Sequence, residues 1–319
     1  MSMILAFDPG FGNTKVASAE GVYVLQSAVA RPHEIGMAAK GLETQARPQT
    51  VCLANGLSFV AGPGAWAWGE PLSTLDFNDL TSPQRLGLFY AAVSHLFPPG
   101  DHVIDLLVIG LPVPLLQDEL QAKAVLAGLG QYKTVHEFTV DGKKYSILIK
   151  KLNALPQPVG AYADWLLDAE GHVRQGGVNA EVAVLDIGMN TLDLYVIQGW
   201  KVAPRFIGGG KLGIRRLLEN MNLAGRDLEE LDSALRSGSL RPSVDQKTAW
   251  LGAILGSVER TWSSLRRFDA VIPTGGGTVV LGELLRSTLA SKGAAVHWPA
   301  DPVTANVSGF YKWGCRAHR

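Results

Sequence analysis

Two stretches of this chain are built alike: "ILAFDPGFGNTKVASAEG" at residues 4–21 and "VAVLDIGMNTLDLYVIQG" at residues 182–199. Each runs an apolar strand into Asp-x-Gly, passes a small polar cluster containing Asn-Thr, and continues into a second strand ending at glycine. The aspartates are Asp8 and Asp186, and the glycines that follow them are Gly10 and Gly188. The Asn-Thr pair comes one residue sooner in the second copy, so that turn reads as one residue tighter. One Asp-Gly turn is ordinary hairpin chemistry. Its recurrence across the chain restricts the fold to two related domains, each presenting one such hairpin.

The length fits that restriction. With 319 residues, 47% of them apolar, the chain can build two cores of the usual size. Its 29 basic and 29 acidic side chains balance, which argues against a cationic groove over the whole surface though not against a local patch, so strong direct nucleic-acid binding is not expected. Two cysteines, Cys52 and Cys315, form no disulfide framework and have no metal-ligand neighbours in sequence. The most apolar run, "VIDLLVIGLPVPLL", is interrupted by Asp105 and two prolines, and the amino-terminal run is interrupted by Asp8. A soluble cytoplasmic protein with no membrane contact is the expectation.

The remaining pattern alternates strands and helices. A meander is expected over the first hairpin and "GVYVLQSAVA". Residues 33–82 read as a small irregular subdomain in which Trp66 and Trp68 serve packing. A helix should start at Pro83 behind a Ser82 cap, and Asp141–Gly142 should turn a second hairpin. Another helix should begin near Pro158. After the second Asp-Gly hairpin, helices are expected within "KLGIRRLLENM", "RDLEELDSALRSG" and "QKTAWLGAILGSVERTWSSLRRF". The strand "AVIPT" then meets Gly275, Gly276 and Gly277 before a helix, and "ANVSGFYKWG" closes the chain. Strands mixed with helices in both halves make the class α/β.

Two such hairpins facing one another suit a polyphosphate. Glycines allow backbone amides close to phosphate oxygens, Asn and Thr add donors, and Lys15 adds a point charge. Aspartates beside phosphate call for a divalent cation, and Mg²⁺ is held by one or two carboxylates plus phosphate. The turn at Gly275–Gly277 can pass close to a nucleoside and its α-phosphate.

The order of these segments resembles the actin-type ATPase superfamily, shared by actin, DnaK-type chaperones and sugar kinases. The Asp8 hairpin, "QPVGAYADW", the Asp186 hairpin, "PTGGGTVVLGELL" and "ANVSGFYKWG" match its phosphate-1, connect-1, phosphate-2, adenosine and connect-2 motifs. Within it, the chain looks most like plasmid-segregation actins of the ParM/StbA type and related archaeal actin-like proteins. The resemblance implies two duplicated ribonuclease-H-like actin-fold domains flanking a nucleotide cleft. Their expected bounds are 1–165, with the small subdomain at 33–82 and residues 305–319 returning to it, and 166–304, with a helical insertion at about 207–262.

It also implies roles. Asp8 and Asp186 would hold Mg²⁺ through water. Gly10, Gly12, Asn13, Thr14, Lys15, Gly188, Asn190, Thr191, Gly275, Gly276 and Gly277 would bind the nucleotide, ATP or GTP. Gln157 falls where the family orients the attacking water; ParM-like members carry Glu there, and an amide positions water without acting as a strong base. A solvent-facing Gln157 at a helix start is the alternative. Asp193 reads as a solvent-facing strand residue rather than support for the metal waters. Residues 206–220, "FIGGGKLGIRRLLEN", read equally as a loop at the nucleotide's edge or as a flexible loop before a helix whose Arg215 and Arg216 face water. Gly160, Ala161 and residues 305–309 fall where the family crosses its connecting helices. The function so implied is an ATPase that polymerises into filaments and segregates plasmid or other DNA through a DNA-binding adaptor. A small-molecule kinase on the same fold is the alternative, weakened by Gln157 where a carboxylate is needed.

Overall fold

The structure is a computed structural model and describes residues 2–33, 48–72, 77–174, 177–221 and 225–318. Parts of the expected subdomain at 33–82 therefore lie outside the described residues. The chain divides into two compact units: Met1–Leu107 with Lys123–Leu152, and Val108–Ala122 with Asn153–Arg319.

In the first unit the expected meander is present. Strand Ile4–Pro9 pairs antiparallel with Asn13–Ser18, which pairs antiparallel with Gly21–Gln26. A seven-stranded sheet follows, in the order Gly69–Pro71, Val29–Pro32, Ser58–Ala61, Gln49–Leu53, Val135–Val140, Lys143–Ile149, Gly100–Ile104. Its hairpin turns at Asp141 and Gly142, both at positive φ (51° and 77°), as a tight two-residue connection requires. Trp66 and Trp68 pack on Ala28, Ala30, Val60 and Ala65, the packing role expected of them.

Helix Pro83–Val93 starts as its sequence dictates. Ser82 accepts a hydrogen bond from the Arg85 amide, and Pro83 stands where no helical N–H is needed. Its buried face includes Phe89 and Tyr90. Nearby, His136 donates from Nε2 to the Tyr132 carbonyl (2.9 Å), so its Nδ1 accepts the Tyr90 hydroxyl proton (2.8 Å). Burial pushes the His136 pKa down and those of Tyr90 and Tyr132 up.

The second unit is built on a sheet ordered Lys201–Val202, Leu192–Gln198, Val182–Ile187, Ala270–Thr274. Val182–Ile187 is buried throughout and runs parallel to Ala270–Thr274, the pattern of a strand covered on both faces. Gly208–Gly210 also pairs with this sheet, along Leu192–Leu194. Those glycines form a strand rather than a flexible loop. A Cβ at Gly209 would run into the Leu192 carbonyl, so only glycine allows the close approach.

The long helix Val244–Trp262 opens on a capping box between Ser243 and Gln246 and lays Trp250, Leu251, Ile254, Val258 and Trp262 into the core. On the other side of the sheet's chemistry, helix Gln157–Leu166 and helix Ala305–Ala317 cross. A Cβ on Gly160 would strike the Asn306 backbone, and one on Gly309 would strike the Gly160 carbonyl. The small residues that the sequence places at 160 and 305–309 therefore permit backbone-to-backbone contact.

Candidate functional site

The first hairpin is closed by charge. Asp8 and Lys15 are register partners, which puts both side chains on one face of the ribbon. Lys15 Nζ lies 2.7 Å from Asp8 Oδ2, with the aspartate fully buried and the lysine nearly so. Gly10 is required by the turn itself, because a Cβ there would meet the Asn13 carbonyl at 2.5 Å. Thr14 pairs with Pro9 and is fully buried. Its hydroxyl lies 2.9 Å from Ser27 Oγ, which itself donates to the Gly10 carbonyl (2.7 Å). Ser27 has one proton to give, so Thr14 is the donor to Ser27. Arg85, fully buried and paired with Asp79 at 2.6 Å, donates from Nη1 to the same Gly10 carbonyl (3.2 Å).

The second hairpin has the same length, which corrects the expectation of a tighter turn. Asp8 pairs with Lys15, seven residues on, and Asp186 pairs with Asp193, also seven residues on. The earlier Asn-Thr pair reflects a shift of side-chain types within an equal backbone loop. The register makes Asp193 the counterpart of Lys15, Leu192 that of Thr14 and Thr191 that of Asn13. Thr14 thus occupies a position that points into the core in both copies.

Asp193 is not solvent-facing: it is 1% exposed, and its Oδ2 accepts from Thr191 Oγ1 at 3.2 Å. It stands across the ladder from buried Asp186. Asp186 Oδ2 accepts from Asn306 Nδ2 at 2.7 Å. Asn306 is buried, and its Oδ1 has no hydrogen-bond partner among the described residues. A carboxylate pair on one face with a buried amide oxygen beside it is a hard-oxygen donor set. It fits a divalent cation that keeps part of its water shell.

Backbone amides hold the turn of this second hairpin. Ile214 N–H donates to the Gly188 carbonyl (3.0 Å) and Arg215 N–H to the Met189 carbonyl (2.8 Å). Asn190 and Thr191 are both buried in it. A cavity of about 360 Å³ adjoins Asn190 and is lined by Lys211, Leu212, Arg215, Arg216 and Glu219. Arg215 is tied to Glu219 at 2.7 Å.

Gly275, at φ 86°, lies against the second hairpin's strand: a Cβ would meet the Ile187 carbonyl and, at 2.5 Å, Asp186 Oδ1. Gly277 is pressed on the Ile187 side chain in the same way. The Gly275 amide donates to the Pro302 carbonyl at 2.8 Å. Gln157 is the first residue of its helix and is half-buried, with its Cγ beside Gly110. One turn further along, Gly160 touches Asn306.

Residues 6–160 match the model described as the actin-like proteins N-terminal domain. Over its whole length the chain superposes on solved actin homologues. The apo form of the psk41 ParM protein is 17% identical, with a TM-score of 0.74 over 99% of this chain and 98% of that one. The chain has the actin-like fold. An archaeal actin homolog in complex with ADP is 18% identical, with a TM-score of 0.71 over 100% of both chains. The 15-stranded ParM filament from Clostridium botulinum is 17% identical, with a TM-score of 0.69 over 99% of both chains. No curated protein matches the chain by sequence.

Within this actin-like fold, the expected site residues fall into two groups. Asp8, Gly10, Gly12, Asn13, Thr14 and Lys15 share the first hairpin. Gln157, Asp186, Gly188, Asn190, Thr191 and Gly275–Gly277 belong to the second unit. Arg85, Ser27 and Asn306 also touch the hairpins and were not expected. Asn306 carried the one available signal: a lone amide among small and apolar residues at the start of a helix.

Proposed function

We propose that this chain is an actin-like ATPase. It would bind Mg-ATP through both Asp-Gly hairpins, polymerise into dynamic filaments, and use them to segregate plasmid or other DNA through an adaptor. The observation that carries the reading is the duplicated Asp-x-Gly hairpin of equal length, with a buried carboxylate at the same rung in each copy. Full-length similarity of fold to ParM proteins and to a ParM filament supports self-association. An ADP complex of an archaeal homolog supports nucleotide as the ligand. In this reading residues 1–165 and 166–304 are the duplicated domains, and the protein acts in the cytoplasm. Among the described residues no helix is long and apolar enough to cross a membrane.

The geometry of each hairpin supports a role for its residues in this reading. Asp186, with Asp193 and the Asn306 Oδ1 beside it, would hold the water shell of Mg²⁺, which supplies charge neutralisation to the phosphates when bound. Asp8 would join it while sharing the Lys15 charge. Gly10, Gly12 and Gly188 would let amides approach phosphate oxygens, with Asn13 and Asn190 as further donors and Thr191, whose hydroxyl proton goes to Asp193 Oδ2, holding that carboxylate in place. Thr14 enters by shaping the turn, because its hydroxyl proton is directed to Ser27. Gly275, Gly276 and Gly277 would line the nucleoside side. The cavity edged by Lys211 and Arg216 supports a nucleotide edge at residues 206–220. Gln157 would orient water by hydrogen bonding.

The test is nucleotide-dependent light scattering with electron microscopy, beside phosphate release. Filaments should appear with Mg-ATP and disappear as it is consumed. Asp186→Ala should abolish phosphate release while keeping the wild-type circular dichroism spectrum; near-normal turnover in that variant would remove the metal assignment. A monomer that instead phosphorylates a sugar would overturn the filament reading.

A further inference from the structure

The two hairpins solve one problem by different means. In each, the glycine two residues after the aspartate directs its carbonyl toward a donor. For Gly188 the donor is the backbone amide of Ile214. For Gly10 the donors are two side chains, Ser27 Oγ at 2.7 Å and Arg85 Nη1 at 3.2 Å. Arg85 comes from a helix that lies 75 residues along the chain from Gly10.

This matters because a peptide unit is planar and trans, so its N–H points opposite to its C=O. Holding the Gly10 carbonyl toward the interior aims the Phe11 amide the other way, out of the turn. An arginine with no exposed surface is costly to place unless its charge and donors are matched. Here Asp79 Oδ2 accepts from both Nε (2.9 Å) and Nη2 (2.6 Å). Asp79 Oδ1 is in turn held by the Ser82 hydroxyl (2.7 Å), the same side chain that caps the helix carrying Arg85. Arg85 Nη1 also approaches Thr14 Oγ1 at 3.5 Å. The result is a closed circuit, in which Arg85 donates to Gly10 and Thr14, Thr14 to Ser27, and Ser27 back to Gly10.

We propose that Arg85, supported by Asp79 and completed by Ser27, is the positioning residue for the phosphate-contacting turn of the first hairpin. It acts through the Gly10–Phe11 peptide and does not itself touch the ligand. The inference rests on the nucleotide reading given above. It also assigns a purpose to a buried ion pair, a kind of contact that well-packed hydrophobic residues of similar volume often match in stability.

The experiment compares wild type with Arg85→Lys, which keeps the charge beside Asp79 but cannot span Asp79 and Gly10, and with Ser27→Ala, which removes the second donor and leaves no buried charge. The affinities of Mg-ATP and of adenosine are measured by competition with a fluorescent ATP analogue, beside urea unfolding. Loss of one charge-assisted hydrogen bond to the turn should weaken Mg-ATP about tenfold and leave adenosine unchanged, because only the phosphates use the turn. Ser27→Ala should show the same selectivity at smaller size with a near wild-type unfolding midpoint, which keeps the test decisive if Arg85→Lys folds poorly. Equal weakening of both ligands, or unchanged Mg-ATP affinity in a folded Ser27→Ala, overturns the proposal. Wild-type protein that binds neither ligand overturns the nucleotide reading itself, and this inference with it.

Discussion

The same substitution at two helical glycines should change stability in opposite directions. Gly252 lies within helix Val244–Trp262 on its exposed side, and a Cβ there meets nothing within 4 Å. Gly309 lies within helix Ala305–Ala317, and its Cβ would fall onto the Gly160 carbonyl and 2.6 Å from the Asp164 amide nitrogen. Neither has a positive φ, so alanine brings no backbone strain and contributes its ordinary helix gain of about 0.5–1 kcal/mol at both. At Gly252 that gain stands alone. At Gly309 it is opposed by overpacking, which costs about 1–3 kcal/mol, and the upper end applies because the obstacle is backbone and has no other rotamer. The net loss at Gly309 is then about 2 kcal/mol. For a unit of this size about 2–4 °C corresponds to each kcal/mol. Gly309→Ala should lower the calorimetric melting transition of the second unit by roughly 4–8 °C, and Gly252→Ala should raise it by roughly 1–4 °C. A Gly309→Ala protein as stable as wild type would refute the backbone-to-backbone crossing.

Two other outcomes follow from single side chains. His136 is buried neutral, with its folded pKa lowered by burial below the ordinary 6.5. The unfolded chain binds that proton more readily, so the stabilisation is complete above about pH 6.5 and is lost as pH falls from there toward the lowered folded value, at no more than about 1.4 kcal/mol per pH unit. Urea midpoints at pH 7.5 and pH 5.5 should show a smaller drop in His136→Gln than in wild type, with an equal drop counting against the assignment. Gln157→Ala should slow phosphate release at least tenfold while nucleotide affinity stays within about twofold, as expected for a residue that orients water; unchanged turnover would remove Gln157 from the mechanism.

Much of this was legible in the sequence because the signals were local. Ser82 and Pro83 announce a helix start, Asp141–Gly142 announces a turn, and the apolar runs around Asp8 and Asp186 announce paired strands. Turn length is not legible from where Asn-Thr falls, because a hairpin's length is set by which backbone groups pair. The ladder pairs Asp186 with Asp193 whatever side chains fill the loop. For the same reason side-chain types do not show that Thr14 corresponds to Leu192, nor that the Thr14 hydroxyl is directed inward. The contacts that Arg85 and Asn306 make with the hairpins were illegible for a different reason. The hairpin groups they reach, the Gly10 carbonyl and the Asp186 carboxylate, lie 75 and 120 residues away, and nothing in a helical arginine or asparagine specifies a contact at that range. Gly208–Gly210 carry no strand propensity; the backbone ladder recruits them, and of the three it is Gly209 whose Cβ would fall on the Leu192 carbonyl.

The crossing of the two helices has a mechanical consequence. A joint lined with long side chains can slip as they change rotamer one after another. Where Gly160 meets Gly309 and Asn306, backbone rests on backbone, so the helices can pivot about that point but not slide past it. Displacement under a pivot grows with distance from it, at 1.5 Å of helix per residue. Asn306 is three residues, about 4.5 Å, from Gly309, so a rotation of about 10° moves it by less than about 1 Å. Its hold on Asp186 therefore lies near the still centre of any such rotation, while the far ends of both helices travel.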